Sequence, residues 1–349
     1  MAKKETFVIL SPGFPENEGD TTCLPAHQVF VRALHKTFPS LNIIIIAFQY
    51  PYISHEYIWN GVTVISLDGN RKGKVSRAFL WIKAWRALLK IRKETAIKGM
   101  LSFWVNECAV VGKYFGKMYN IKHYGWVTGQ DAKKGNAYIK LMRPKAGELF
   151  AMSDFLADQF YKNYHLKPHA VVPNGIDTEL FGKESRERSI DILAAGSLIP
   201  LKQYNVFVEV LKLVSDELPQ VKAMLCGKGP EEQNIRVLLK MYGLEKNIHL
   251  AGEKQHTQVL ALMQQCKVFL HTSSYEGFST VCLEALYAGA HVVSFFRPMQ
   301  NDIRHWHIVA TKEEMAVKAL SLLLSPSTEY SPVLAYSMDG IASQVMDLY

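Results

Sequence analysis

The sequence predicts an α/β fold of two doubly wound parallel sheets, and three observations carry that prediction. Short β-branched or apolar runs alternate with helix-like stretches along the chain, the pattern of repeated strand–helix units. The length, 349 residues, predicts two domains at roughly 100–200 residues each. Near the midpoint Val171-Val172-Pro173-Asn174-Gly175-Ile176-Asp177 is rich in turn residues, and the charged run 183–188 follows it, as expected of a linker. Each half therefore reads as Rossmann-like.

Taken in order, strands are expected at 7–10, 43–48, 62–66, 100–104, 124–127 and 149–153, with helices at 26–37 and 74–93 among them. After Val171 the rhythm resumes with strands at 190–195, 222–226, 248–251, 268–272 and 291–295. Helices intervene at 204–218, 231–242, 257–265, 280–288 and 312–324, and a last amphipathic helix starts at about Tyr336. The expected division is 1–172, a linker at 173–188, 189–332, and a terminal segment at 333–349. Ligands of such sheets bind beyond the carboxyl ends of the strands, so a cleft between two facing domains is the expected site.

Composition narrows the function classes. Apolar residues make up 48% and charged residues 21%, close to the globular average, which excludes a disordered or fibrous chain. No apolar run approaches the roughly 18–20 residues that a spanning helix needs. The apolar run 7–10 before Ser11-Pro12-Gly13 is too short for a signal peptide, so a cytoplasmic location is expected. Five cysteines, Cys23, Cys108, Cys226, Cys266 and Cys282, lack metal-ligand or redox spacing, and are expected to be reduced and mostly buried.

The net charge of +8 is unevenly divided. Residues 1–170 carry 24 Lys and Arg against 12 Asp and Glu, and the remainder carry 16 against 20. The densest basic stretch has Arg71, Lys72, Lys74, Arg77, Lys83, Arg86, Lys90, Arg92, Lys93 and Lys98 against Glu94 alone. Val75, Phe79, Ile82, Trp85 and Leu89 recur there at helical spacing, so they are expected to pack while the cations face outward. Such a helix is either a solvated surface or a dock for anionic lipid headgroups on the inner face of a membrane. Nucleic acid is disfavoured, since no aromatic-and-basic RNA motif, zinc finger or helix-turn-helix pattern is present.

The sharpest chemistry lies in His271-Thr272-Ser273-Ser274-Tyr275-Glu276-Gly277-Phe278-Ser279-Thr280-Val281-Cys282-Leu283-Glu284. A strand ends, a glycine-containing loop follows, and a helix opens at Ser279 or Thr280, either of which suits an N-cap. The first amides of that helix, at the positive end of its dipole, form a phosphate site. Glu276 and Glu284 flank this position; on phosphates they would repel, so uncharged hydroxyl pairs are their fitting targets. A ligand with a central diphosphate, a ribose on one side and a sugar on the other satisfies both.

Glu276 and Glu284, with Glu-Gly-Phe and Leu-Glu-Ala-Leu-Tyr-Ala-Gly around them, resemble the paired glutamates of the retaining nucleotide-sugar glycosyltransferases of family 4 (group 1), which have the GT-B architecture. Other segments resemble the family in the same order. Pro173-Asn174-Gly175-Ile176-Asp177 resembles its linker motif. Ala195-Gly196-Ser197-Leu198-Ile199-Pro200-Leu201-Lys202 resembles the loop where an Arg and a Lys clamp the diphosphate: Lys202 falls on the Lys, but Ser197 replaces the Arg, and Lys228 or Arg304 would have to substitute. Cys226-Gly227-Lys228-Gly229-Pro230 resembles the next glycine turn, and Leu250-Ala251-Gly252-Glu253-Lys254 the loop lining the base. In the first half, 11–20, with Gly13 and Glu16, resembles the loop facing donor and acceptor. Gln130 stands where many relatives have a His beside the sugar; Gln130 or Asp131 is the candidate for that pocket.

The resemblance implies sugar transfer with retention from a UDP- or GDP-linked donor, without a separate cofactor, onto a glycan or lipid-linked acceptor in bacterial surface polysaccharide or lipopolysaccharide synthesis. Glu276 and Lys202 would serve catalysis. Gly13, Ser197, Lys202, Gly227, Lys228, Glu253, Gly277, Phe278, Ser279, Thr280 and Glu284 would serve donor binding, and Glu16, Gln130 and Asp131 the acceptor or sugar. No Asp-x-Asp pair for a divalent ion is present, in keeping with the metal independence of that architecture. The competing readings are a nucleotide-sugar epimerase of the same fold and a noncatalytic anion-binding protein at membranes. A dehydrogenase would want Gly-x-Gly-x-x-Gly directly after a strand, which is missing.

Overall fold

A computed structural model describes residues 3–69, 73–182 and 187–349. Arg71 and Lys72, the side chain of Lys74, and residues 183–186 of the charged run lie outside the described residues. The chain forms two compact units, Met1–Gly175 with Met338–Tyr349, and Ile176–Ser337.

The first unit contains β1 (Glu5–Gly13), α1 (Pro25–Thr37), β2 (Asn42–Tyr50), β3 (Glu56–Trp59), β4 (Val62–Ser66), α2 (Lys74–Glu94), β5 (Ala96–Phe103), α3 (Glu107–Tyr119), β6 (His123–Val127), α4 (Ala137–Met142), β7 (Leu149–Ala151), α5 (Asp154–Tyr164) and β8 (Ala170–Val171). The strands form one sheet in the order β3-β4-β2-β1-β5-β6-β7-β8. β1 and β2 are continuous apolar runs buried on both faces, which is what central parallel strands require. The sheet is not wholly parallel: β3 pairs antiparallel with β4, Trp59 opposite Val62. The turn between them is Asn60-Gly61, both at positive φ, which matches a two-residue hairpin.

α2 corrects the sequence expectation about its packing face. The residues that enter the core are Leu80, Ala84, Leu88 and Ile91, against Val8, Ile44 and Phe115 among others. Val75, Phe79, Ile82 and Leu89 are exposed instead, and Trp85 is half-buried. Both sets recur at helical spacing, and the pattern alone could not say which one meets the sheet.

In the first unit, α11 (Met338–Met346), beginning two residues later than expected, packs on α1. Behind it, the Tyr349 ring meets Phe7 edge-on at 4.8 Å and Tyr124 at 5.2 Å, and its hydroxyl donates to the Met100 carbonyl at 2.5 Å. The ring lies against Gly99, where any Cβ would collide with it.

The second unit contains β9 (Ile190–Ala195), α6 (Tyr204–Glu217), β10 (Ala223–Cys226), α7 (Glu232–Tyr242), β11 (Ile248–Gly252), α8 (His256–Met263), β12 (Cys266–His271), α9 (Thr280–Tyr287), β13 (His291–Ser294), β14 (Trp306–Ile308) and α10 (Lys312–Leu324). Its sheet is parallel throughout, in the order β11-β10-β9-β12-β13-β14. Phe207, Leu211, Val268, Leu270, Val293 and Met315 form the centre of its core. Cys108, Cys226, Cys266 and Cys282 are buried and Cys23 partly so, all as free thiols.

Two glycines let the loops beyond β9 and β10 touch. Gly196 and Gly227 have φ of 150° and 149°, and the Gly227 Cα–H faces the Gly196 carbonyl where a methyl would collide. Gly196 N–H donates to the Cys226 carbonyl at 3.0 Å, and Gly227 N–H to the Gly252 carbonyl at 2.8 Å. Gly227→Ala is expected to destabilise the second unit by about 2 kcal/mol or more, measured by urea unfolding. Tyr349→Ala is expected to cost the first unit about 2 kcal/mol through the emptied ring site, read in the same experiment.

Candidate functional site

In the second sheet the chain order reverses at β9: β10 and β11 lie on one side of it, β12 to β14 on the other. That reversal between β9 and β12 is the topological switch point, where the loops beyond the carboxyl ends of the strands part and leave a crevice. The β9 loop brings Gly196, Ser197 and Lys202 to this point, and the β12 loop brings 272–279.

Backbone bonds tie the two loops together. Ser274 N–H donates to the Leu201 carbonyl at 3.0 Å, and Thr272 Oγ1 donates to the Lys202 carbonyl at 2.8 Å. Across this seam the Lys202 ammonium donates to Glu276 Oε1. The side chains are 22% and 15% exposed, so the pair is shielded but still reachable from solvent. His271, the buried last residue of β12, places Nε2 3.4 Å from Glu276 Oε1, 3.0 Å from Ser279 Oγ and 3.4 Å from Ser273 Oγ. Its Nδ1 is buried without a partner. A hydrogen on Nε2 then leaves only a lone pair unmatched at Nδ1, instead of an orphaned N–H.

Burial pushes the Glu276 carboxyl up, but the His271 hydrogen bond and the Lys202 charge outweigh it and hold the group at about 2. Burial lowers His271 below the ordinary imidazole range, against the pull of Glu276, so the ring is neutral at pH 7. The site is thus an ionised carboxylate between a cation and a neutral donor.

The second glutamate of the pair, Glu284, lies on α9 and accepts from His256 Nε2 at 2.7 Å. His256 opens α8, just beyond β11. Sequence reasoning missed both His256 and His271: a single histidine carries no spacing signal, although each stands at or just beyond a strand end, where ligand groups concentrate.

The remaining expected donor residues divide. Ser279 is the N-cap residue of α9, but its hydroxyl turns to His271 and does not cap the helix. The Phe278 ring is 5% exposed and packs on Trp306 and Tyr336, which leaves the backbone amide as the group for the donor role expected at this position. Gly277 and Thr280 are half-buried beside Glu276, and Glu253 is exposed directly beyond β11. Of the two cations that could replace the missing Arg, Lys228 lies on the β10 loop, its carbonyl accepting from Leu198 N–H at 3.0 Å next to exposed Ser197. Arg304 is committed elsewhere, to Glu329 at 3.1 Å.

In the first unit, the switch point falls between β1 and β5, and Gly13 ends β1 there. The close approach at Gly13 is to Tyr50 of β2, whose Cβ would lie 3.3 Å from an added methyl. Glu16 and Gln130 are exposed. Asp131 corrects the expectation of a sugar contact: it is 4% exposed, and its Oδ2 accepts from Thr128 N–H at 2.9 Å and Thr128 Oγ1 at 3.0 Å. Burial raises its carboxyl to about 6. It is a turn acceptor. Among the described residues no cluster of three or more His, Cys, Asp or Glu could hold a metal ion.

Known proteins resemble this chain in sequence and in fold. Residues 176–329 match the family described as Glycosyl transferases group 1. The phosphatidylinositol N-acetylglucosaminyltransferase gpi3 subunit of Schizosaccharomyces pombe is 23% identical over 267 residues, 72% of this chain and 58% of that protein. The 2-deoxystreptamine N-acetyl-D-glucosaminyltransferase of Niallia circulans is 25% identical over 46% of this chain and 39% of its own length. The chain thus spans little more than half of the first of these curated relatives, and less of the second. Among solved structures, sucrose-phosphate synthase from Thermosynechococcus elongatus superposes with a TM-score of 0.73 at 14% identity, over 99% of this chain and 98% of that one. HepE of Anabaena, solved with UDP and glucose, gives 0.68 at 16% identity over 98% and 96%. The fold is that of the GT-B glycosyltransferase structures, and residues 176–329 are similar to the glycosyl transferases of group 1.

Proposed function

We propose that this protein is a glycosyltransferase that takes a sugar from a nucleotide donor bound at the β9–β12 switch point and passes it to an acceptor hydroxyl. The observation that carries the reading is the Lys202–Glu276 pair, a cation and an ionised carboxylate held together beside the glycine-containing loop that opens α9. The costly step in such a transfer is charge separation, with the anomeric carbon turning cation-like as negative charge grows on the departing diphosphate. Lys202 and the amides of 277–280 lie where they can stabilise that diphosphate, which is the largest single contribution in chemistry of this kind.

The donor's arrival exchanges partners. Two phosphates carry more charge than one carboxylate, so Lys202 turns to the diphosphate, and Glu276 is freed to accept hydroxyls of the sugar. Glu284, oriented by His256, accepts from the ribose pair. Lys228 supplies the second cation that Ser197 leaves missing.

The finer terms of the reading are retention of configuration, no divalent ion in the step, and a UDP-linked donor with a GDP-linked one as the other choice. The UDP and glucose bound by Anabaena HepE support the uracil donor. The acceptor is a glycan or lipid-linked saccharide of a bacterial surface polysaccharide or lipopolysaccharide; likeness in fold to WaaB, a lipopolysaccharide outer core galactosyltransferase, supports this.

A donor panel with saccharide acceptors tests the reading. Glu276→Gln is expected to keep its fold and its thermal stabilisation by UDP while losing transfer by about a hundredfold or more. Lys202→Ala is expected to lose the stabilisation by UDP. Undiminished transfer by Glu276→Gln sinks the assignment, and product formed from the donor without acceptor turns the reading to the epimerase.

Acid adds an independent check. Because the folded pKa of Glu276 is depressed, its ionised form stabilises the fold above the unfolded value of 4.5, and that contribution drains away as pH falls toward about 2. Wild type should therefore exceed Glu276→Gln by about 2 kcal/mol at pH 7 in urea unfolding, with the difference shrinking steadily below pH 4.5.

A further inference from the structure

Helix α2 is apolar on two opposite sides. One side, Leu80, Ala84, Leu88 and Ile91, is packed into the first unit. On the other, Val75, Phe79, Ile82 and Leu89 are 71%, 61%, 47% and 37% exposed. The steps of four, three and seven residues put these four on one stripe, half a turn around from the buried one, and Arg86 completes the stripe between Ile82 and Leu89. At 1.5 Å per residue it runs for about 21 Å.

Cations flank it. In sequence α2 carries seven Lys and Arg against the single acid Glu94. Lys83, Arg86, Lys90 and Lys93 lie beside or within the stripe and are exposed, the Lys83 ammonium donating to the Leu67 carbonyl at 3.0 Å. Lys90 also reaches Glu56 of β3 at 3.4 Å, which brings that strand edge alongside. Ile58 shares the face of Glu56, two residues on, and is 63% exposed, so the apolar surface widens there.

An exposed apolar stripe of this length, flanked by more cations than acids, calls for a partner that offers apolar depth and diffuse negative charge together. A folded protein interface pairs fixed hydrogen-bonding groups, whereas the polar groups along this stripe are the ends of long Lys and Arg side chains, of which Lys83 is held by the Leu67 carbonyl and Lys90 by Glu56. An anionic bilayer supplies headgroup phosphates at no fixed position and an acyl boundary beneath them. No described helix is long and apolar enough to span a membrane, so contact would be with one surface.

We infer that α2 seats the first unit on an anionic phospholipid bilayer, with Val75, Phe79 and Ile82 entering the headgroup–acyl boundary while Lys83, Arg86, Lys90 and Lys93 meet the phosphates. The inference needs neither the donor site nor the transfer reaction, and it assigns to the exposed apolar residues a role that charge alone would not give them.

Flotation with vesicles tests it, using phosphatidylcholine alone and phosphatidylcholine with one-third phosphatidylglycerol. Wild type is expected to float with the anionic vesicles only, less so as salt shortens the screening length. Phe79→Ser with Ile82→Ser should weaken flotation about tenfold or more, and Arg86→Glu with Lys90→Glu should do likewise, with melting temperatures unchanged. As a second reporter, Ile82→Trp should shift its fluorescence to the blue with anionic vesicles and not with neutral ones. Wild type failing to float, flotation indifferent to the Phe79 and Ile82 changes, or an unshifted Ile82→Trp would overturn the inference. So would a dimer in light scattering that the same pair of serines dissolves, since the stripe would then be covered by a second copy.

Discussion

One contact governs the second unit: Lys202 on Glu276, 74 residues apart in sequence and joined because β9 and β12 are parallel neighbours. Parallel pairing sends both strands' following loops to the same edge of the sheet. A reversal of strand order at that place leaves room for a ligand between them. The glycines beyond β9 and β10 serve the same geometry from the other side. Gly196 and Gly227 touch backbone to backbone, and a side chain at Gly227 would push apart the loops that deliver Lys202 and Lys228.

Much of this fold was legible in the sequence, because period and length are read locally. The strand Ile190–Ala195 and the helix Lys312–Leu324 fall on the expected boundaries, and most other elements lie within a few residues. β3, β8 and β14, at two to four residues each, are too short for a periodic signal. The β3–β4 hairpin does carry one, Asn60-Gly61 between two apolar segments. α2 shows the limit of periodicity more sharply. Apolar residues recur on both of its sides, so the pattern establishes a helix, but only the neighbouring sheet decides that Leu80 and Leu88 go inside while Phe79 and Ile82 stay out.

The site was legible where chemistry is tied to spacing and illegible where it depends on burial. Glu276, Glu284 and Lys202 were singled out from motif positions, and the structure joins Lys202 to Glu276 without being asked to. Phe278 and Asp131 also stood at motif positions, yet the ring of one is locked against Trp306 and Tyr336, and the carboxylate of the other closes a turn on Thr128. A sequence position fixes where the backbone passes, not which way a side chain leaves it. His271 and His256 reverse the case: no pattern marks them, but each touches one of the two glutamates.

The electrostatics explain why a carboxylate and an ammonium can stand together where, on the proposed reading, a diphosphate binds. Burial pushes the Glu276 carboxyl toward its protonated form; His271 and Lys202 keep it ionised. On the proposed reading a diphosphate draws Lys202 away, and Glu276 loses the cation that, after the His271 hydrogen bond, does most to keep it ionised. Sugar hydroxyls are the donors that arrive with that same ligand, and His271 remains in place throughout. On the proposed reading, a donor lacking those hydroxyls would bind with its diphosphate satisfied and its glutamate stranded, so the pair rewards a sugar-bearing nucleotide over a bare one.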